Sequence, residues 1–233
     1  MADAGVAMAT VARWELPEIP AEPDPFAASV QCACVGDTPI LLGAMDEDHI
    51  LDITRGESAL RMPTTPEGLS GAERRAWERE RYYRPLAEMG IPRRDGRPGI
   101  PSQYLSRCLV EAGEWVPYRE RMKLTGKHGS LVPVLIEVTE EFLPFPYDSW
   151  ALDLRRGERD GRSVWIARAK FPMWGFHATL RYDPNELKPT TVRQLLDIAG
   201  FRIGLGSFRK DPRKRYREKR AVFGRFRVVG WEE

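Results

Sequence analysis

Hydrophobic and polar residues alternate with a period of two in several stretches, and this spacing predicts β-strands. In residues 28–36, Val30, Cys32 and Cys34 share one face. In residues 174–182 the alternation is longer, and every second residue from Trp174 to Tyr182 is apolar. The turn-forming sequence at 159–162 predicts a hairpin that enters the strand at 164. Further strands are predicted at 131–138, 164–169 and 225–231, with a short apolar run at 39–44 beside the first strand.

A period of three to four residues predicts helices in three places. The first begins at Ser70, whose spacing to Glu73 is that of a capping box, and runs to about residue 89. Pro85 lies inside this helix and is expected to end or kink it. The second covers residues 102–115 and is clearly amphipathic.

The third predicted helix covers residues 191–199. Thr191 and Gln194 have capping-box spacing, which predicts the start of this helix at Thr191. Gly200 follows the last apolar position, so we expect it to end the helix in the left-handed conformation.

The order strand, helix, strands, helix, strand predicts an α+β fold of ferredoxin-like (RRM-like) type, an antiparallel sheet with helices on one face. We expect one domain over residues 27–233, with inserted helical and loop segments at about 50–100. Residues 1–26 are rich in Ala, Pro and acidic residues and have no sustained period, so we expect a flexible arm.

Composition narrows the class of protein. The 233 residues suffice for one substantial core. They contain no apolar run of about 18 residues and no basic and apolar leader, so we expect neither a membrane span nor a secretory signal. The chain has three cysteines, an odd number, and two of them are separated by a single residue. This pattern does not suit a disulfide framework and favours reduced thiols and a cytoplasmic location. Cys32 and Cys34 fit the core better than a redox pair.

Positive charge is concentrated near the C-terminus. Residues 204–228 contain ten Lys or Arg and two acidic residues, a net +8 in a chain whose total is +2. Such concentrated charge attracts polyanions, because each neutralised phosphate releases counterions. Tyr216, among these cations, and Phe223 are candidates for stacking on bases, although Phe223 could equally belong to the core. A membrane surface, an acidic partner or a solvated loop without a ligand remain alternatives.

A second basic stretch covers residues 119–128, and in it His128 lies beside two lysines. The glycines that open the C-terminal stretch can adopt positive φ and allow close approach of a backbone or a phosphate. We predict nucleic-acid contacts at Lys123, Lys127, His128, Gly204, Gly206, Arg209, Lys210, Arg213, Lys214, Arg215, Tyr216, Arg217, Lys219, Arg220 and Arg225.

Catalytic chemistry has weaker support in the sequence. Asp46 and Asp48 share a face of an extended segment and could bind a metal ion, but an acidic cluster after a strand is more simply a solvated turn. The histidines are far apart in sequence, and the chain has neither zinc-ligand spacing nor a serine-nucleophile motif. We therefore predict no catalytic residues, no metal and no cofactor, with a ribonuclease that uses Asp46 or Asp48 as the alternative.

Two motifs resemble those of a known family. The sequence IPSQYLSRCLVEAG at 100–113 places Ile100 and Pro101 just before a helix that carries Leu105 and Arg107. Near the C-terminus, GLGSF at 204–208 is followed, after the basic residues, by FGRFRV at 223–228. These motifs resemble the repeat-associated mysterious protein (RAMP) superfamily, which includes backbone subunits of CRISPR effectors. The matching positions of the glycine-rich motif are Gly204, Gly206, Ser207, Phe208, Phe223, Gly224 and Arg225.

The resemblance implies a non-catalytic protein that holds single-stranded RNA, in particular guide RNA, within a ribonucleoprotein for antiviral defence. It also implies self-association along the strand and contacts with other effector subunits. A general binder of single-stranded nucleic acid, including single-stranded DNA, and a phage structural or assembly protein are the alternatives. We expect no membrane partner.

Overall fold

The computed structural model describes residues 27–43, 64–120, 122–159, 162–209 and 223–233. Its central sheet has four antiparallel strands in the order β14-β1-β13-β9. Helix α3 connects β1 to β9, and helix α5 connects β13 to β14. The chain order βαββαβ with this spatial order is that of a ferredoxin-like fold, which confirms the predicted α+β class. The elements of this core are β1 (Ala28–Gly36), α3 (Ser102–Ala112), β9 (Ile136–Val138), β13 (Gly175–Tyr182), α5 (Pro189–Ile198) and β14 (Phe226–Glu232).

Both helices pack on one face of the central sheet because alternate strand residues are apolar. Val30, Cys32 and Cys34 on β1 are at most 2% exposed, and they pack with Leu105 of α3 and Leu195 of α5 in one core. The two β1 cysteines are free and buried, as predicted. Burial raises the pKa of the third, Cys108 on α3, to about 12.

A second antiparallel sheet has the order β11-β12-β2 and extends from the end of β1. Its strands β11 and β12 form a long hairpin in which Arg159 pairs with Arg162, as the turn chemistry predicted. One face of this sheet lies against the inserted helix that precedes the core helix α3. The strands are β2 (Ile40–Leu42), β11 (Ala151–Arg159) and β12 (Arg162–Phe171).

The inserted helix has its predicted capping box: Ser70 accepts from the backbone N–H of Glu73, and Glu73 accepts from the N–H of Ser70. Pro85 does not end the helix, because a π-helical segment, Arg79–Tyr83, absorbs the change and Pro85 falls in the first turn of the next helical piece. The remaining elements are α1 (Gly71–Glu78), α2 (Arg84–Met89), β3 (Arg93–Arg94), β4 (Arg97–Pro101), β5 (Pro117–Arg119), β6 (Met122–Lys123), β7 (Thr125–Gly126), β8 (Gly129–Ser130), α4 (Val132–Leu135) and β10 (Phe142–Pro144).

Three local predictions were wrong. The strand expected at 131–138 is a helical turn, α4, that leads into the three-residue strand β9, because Pro133 suits the first turn of a helix. The third helix begins at Pro189, two residues before the expected capping box, and its Lys188 cap makes no side-chain hydrogen bond. Gly200 lies inside a π-helical segment, Ala199–Ile203, where an added Cβ would come within 2.2 Å of the Phe226 carbonyl oxygen.

Candidate nucleic-acid interface

The two halves of the glycine-rich motif meet each other and strand β2. We call residues 204–208 and 223–225 the glycine segment. The N–H of Leu205 donates to the Gly224 carbonyl, and the N–H of Gly224 donates to the Pro39 carbonyl. The N–H of Ser207 donates to the Leu41 carbonyl at 2.8 Å. The segment is therefore an internal backbone junction, fixed against the end of the second sheet.

Glycine is required at two points of this junction. Gly206 and Gly224 have φ of +77° and +72°, a region that residues with a side chain rarely adopt. A Cβ on Gly224 would lie 1.8 Å from the Leu205 carbonyl oxygen, and one on Gly206 would lie 2.6 Å from the Leu41 carbonyl oxygen. The predicted positive φ at Gly204 and Gly206 is confirmed, and its use here is close contact between backbones.

A cleft of about 200 Å³ opens beside this junction; we call it the glycine cleft. Its walls come from the end of β2 and the following Gly43, from helix α3 and from residues 205–209. Tyr104 and Arg107 project from α3 into it, whereas Leu105, Cys108 and Leu109 on the other side of the helix are buried in the core. The two sequence motifs thus converge on one concave surface.

Two cations at the cleft differ in their freedom to bind a ligand. Arg107 is exposed. Arg209 is partly buried and paired with Glu111, with its Nη2 at 2.6 Å from Oε1 of the carboxylate, and it also reaches the Gly204 carbonyl. Arg107 therefore offers its full charge to a ligand, whereas Arg209 mainly fixes the glycine segment to α3.

On the far side of the glycine segment, arginines of the β11–β12 hairpin contact its two aromatic residues. The guanidinium of Arg155 lies 4.6 Å from the centre of the Phe223 ring and 5.7 Å from that of Phe208. Asp153, two residues earlier on β11, accepts from Arg155 at 2.9 Å and orients it. Phe208 and Phe223 stand just before and just after residues 209–222, so one side chain contacts both roots of the basic stretch.

The guanidinium carbon of Arg168 lies 4.2 Å from the centre of the Phe208 ring. Its Nε and Nη1 atoms are buried and have no hydrogen-bond partner among the described residues. Burial lowers the pKa of this guanidinium. Arg168 packs against Gly43, where an added Cβ would lie 2.7 Å from Cγ of Arg168. Arg168 therefore adds positive charge next to the wall of the glycine cleft that Gly43 forms.

The structure brings part of the predicted site together. Gly206 and Arg209 line the glycine cleft, whereas Gly204 is buried and its carbonyl accepts from Arg209. Arg225 is partly buried beneath Phe201, with 5.1 Å between its guanidinium carbon and the ring centre. The predicted contacts that lie outside the described residues are Lys210, Arg213, Lys214, Arg215, Tyr216, Arg217, Lys219 and Arg220.

Lys123, Lys127 and His128 are exposed on the small hairpins β5–β8, beyond the C-terminal end of α3. Asp46 and Asp48, the alternative metal ligands, also lie outside the described residues. Within the described part of the chain, no group of three or more His, Cys, Asp or Glu side chains is arranged to hold a metal ion. Nor does that part contain a helix long and apolar enough to cross a bilayer.

Sequence reasoning missed Tyr104, Arg155 and Arg168. Tyr104 follows the helical period of the apolar residues of α3, so only its place beside the glycine segment marks it as a residue of the cleft. Strand β11, which carries Arg155, was not predicted because its sequence ALDLRRGER mixes apolar and charged residues without a clean alternation. Only the pairing of Arg155 and Arg168 with aromatic residues distant in sequence reveals them.

Several solved structures are similar to this chain, and two of them are described below. One is described as the cryo-EM structure of the Type III-B Cmr-beta bound to cognate target RNA, with 12% identity and a TM-score of 0.39 over 89% of this chain. This chain spans 60% of the length of that one. The other is the crystal structure of Cmr6 from Pyrococcus furiosus, with 10% identity, a TM-score of 0.40, and coverage of 86% of this chain and 98% of that one. No protein-family model and no curated protein matches the chain.

Proposed function

We propose that this protein binds single-stranded RNA at the glycine cleft and along residues 210–222, which we call the basic loop. The observation that carries the proposal is the convergence of the two motifs on a concave surface that holds an exposed arginine, Arg107, and also Arg209, the residue that precedes the basic loop. The loop contains seven Lys or Arg and two acidic residues. The residues that flank it, Phe208 and Phe223, both contact Arg155, so the described ends of the two flanking segments are anchored by one side chain.

Phosphates are the groups that this surface suits best. Lys and Arg neutralise the strand and release its counterions, so affinity depends on charge count more than on base sequence. Tyr104 in the cleft and Tyr216 in the loop supply aromatic faces on which any base can stack. The expected behaviour is tight, salt-sensitive and weakly sequence-selective binding.

The choice of RNA rests on the RAMP resemblance of the two motifs. It extends the proposal to a non-catalytic backbone subunit of a CRISPR-type ribonucleoprotein, in which guide RNA, further copies of the chain and other effector subunits are the partners. The protein would act in the cytoplasm, with no cofactor and no catalytic residue.

Charge reversal in the basic loop tests the proposal. The triple variant Arg213→Glu, Lys214→Glu and Arg215→Glu loses three phosphate contacts. The plot of log K against log salt therefore becomes less steep, with a slope smaller in magnitude by about 2. The matched control reverses three exposed cations on other elements, Arg75, Arg81 and Lys188. Fluorescence anisotropy with a labelled single-stranded RNA at several salt concentrations measures both.

For the loop variant we expect a lower affinity for the RNA and a less steep salt dependence. For the control we expect little change in either. Equal losses in both variants would mean a non-specific effect of net charge and would contradict the site. Unchanged binding in the loop variant would remove the basic loop from the proposal. Cleavage of the RNA that disappears in Asp46→Ala would favour the ribonuclease instead.

A further inference from the structure

We propose a second nucleotide subsite, at Trp115, for the same RNA strand; this inference rests on the proposed function. The subsite is a pocket of about 320 Å³ lined by Glu114, Trp115, Lys123, Thr125, Gly126 and Lys127. Its lining contains one aromatic ring, and its charged residues are two lysines and Glu114, a net charge of +1. That combination takes a base with its phosphate, since the ring stacks on the base and the ammonium groups neutralise the phosphate.

The indole of Trp115 packs against the core, and the guanidinium of Arg202 lies over its ring. Trp115 ends the 3-10 turn Gly113–Trp115 that continues α3, and it is half-buried against the core. The exposed Arg202 places its guanidinium carbon 5.6 Å from the centre of the indole ring. The indole and the guanidinium together form a cation–π platform, whose outer, exposed group is the guanidinium of Arg202. A base can stack on that guanidinium, as bases do on arginine in single-strand sites.

The two lysines reach the pocket on a short hairpin that is anchored to α3. Thr125 donates from Oγ1 to the Val110 carbonyl at 2.6 Å, and its Oγ1 also lies 2.7 Å from the Ser130 hydroxyl. These bonds fix the base of β7–β8, so the exposed Lys127 stands beside the platform. At Gly126 a Cβ would meet no atom within 4 Å, which leaves this side of the pocket open to a strand.

The subsite lies on the same helix as the glycine cleft. Arg107 and Trp115 are eight residues apart along α3 and its 3-10 extension, a rise of about 12 Å. Between them, Glu111 binds Arg209 of the segment that leaves the cleft. Arg202 belongs to the π-helical segment Ala199–Ile203, which runs directly into Gly204. One strand of RNA can therefore follow α3 from the cleft to the indole, which places Lys123 and Lys127 on the path of the same strand.

The inference gives Trp115 and the lysines different signatures in one experiment. Binding of labelled oligouridylates of 4, 8 and 12 nucleotides is measured by anisotropy over a salt series. Trp115→Ala lowers affinity for the longer RNAs about tenfold, because one stacking contact is lost, and leaves the salt slope unchanged because no charge is removed. Trp115→Phe restores part of the loss. The double variant Lys123→Ala and Lys127→Ala reduces the magnitude of the slope of log K against log salt by about 1.4.

The shortest RNA serves as an internal control, since an oligonucleotide confined to the glycine cleft is insensitive to all these changes. Arg202→Ala, on the exposed side of the platform, lowers affinity for the longer RNAs even if Trp115→Ala fails to fold. If the wild-type protein binds RNA and the Arg202 and lysine variants bind it equally well at every length, the subsite is refuted and the proposed function stands. If the wild-type protein binds no RNA, both fail.

Discussion

Substitution of Gly206 by alanine measures how tightly the glycine segment is packed on β2. The backbone φ is +77° at Gly206 and +81° at Gly68, a turn glycine ahead of α1. A left-handed residue with a Cβ costs about 1 to 2 kcal/mol, and the loss of chain entropy in the unfolded state offsets about 0.4 to 1 kcal/mol. Both terms are the same at the two positions, so Gly68→Ala is a matched control.

Only the steric contribution differs between them. A Cβ at Gly68 meets nothing within 4 Å, whereas at Gly206 it would lie 2.6 Å from the Leu41 carbonyl oxygen and 2.7 Å from Cγ1 of Ile40. Relief of such overpacking costs about 1 to 3 kcal/mol. We therefore expect the free energy of unfolding to fall by about 1 to 3 kcal/mol more in Gly206→Ala than in Gly68→Ala.

Guanidinium chloride denaturation of both variants, followed by circular dichroism, gives the two free energies. RNA titration of the folded proteins then adds a functional readout. Because Gly206 forms a wall of the glycine cleft, Gly206→Ala should also weaken RNA binding, while Gly68→Ala should leave it unchanged. Equal stability losses in the two variants would refute the steric reasoning. Full RNA affinity in Gly206→Ala would mean that the glycine cleft does not contribute to RNA binding.

Three further outcomes follow from contacts elsewhere in the fold. Arg155→Ala should speed tryptic cleavage in the basic loop, because Arg155 contacts both loop roots; Arg156→Ala, on the opposite face of the same strand and stacked on Trp165, is the control and should not. Leu109→Ala, at a position that is 1% exposed, should cost about 2 to 5 kcal/mol of stability, whereas Val134→Ala, at 80% exposure, should change it by about 0.5 kcal/mol or less. Burial raises the pKa of Cys108 to about 12, and since the thiolate is the reactive form, this thiol should react with Ellman's reagent only after denaturation; rapid reaction of all three thiols in the folded protein would contradict the buried placement.

The core of the fold could be predicted from the sequence because its strands and helices carry strong periodicity. The alternation in β1 and β13 reflects a sheet that is buried on one face only, and α3 has a continuous apolar stripe. Local signals failed where backbone geometry depends on distant partners. Gly200 looked like a helix cap, but its lack of a side chain serves contact with Phe226 of β14.

The candidate site was predicted less completely than the fold. The two motifs singled out Arg107 on α3 and the glycine segment, which meet at the glycine cleft. The concentrated charge singled out residues 210–222, which lie outside the described residues. The sequence does not identify Arg155, Arg168 and Trp115, because the cation–π partner of each lies far away in the chain. Such pairings are set by tertiary packing, which no local pattern encodes.

Equilibrium titration of the wild-type protein tests the central claim most directly. The nucleic acids are a labelled single-stranded RNA, single-stranded DNA of the same sequence and duplex DNA, each at two salt concentrations. The account predicts saturable binding that is tightest for single-stranded RNA and that weakens steeply with salt. Equal binding to both single strands would reduce the protein to a general single-strand binder, and no binding to either would contradict the claim.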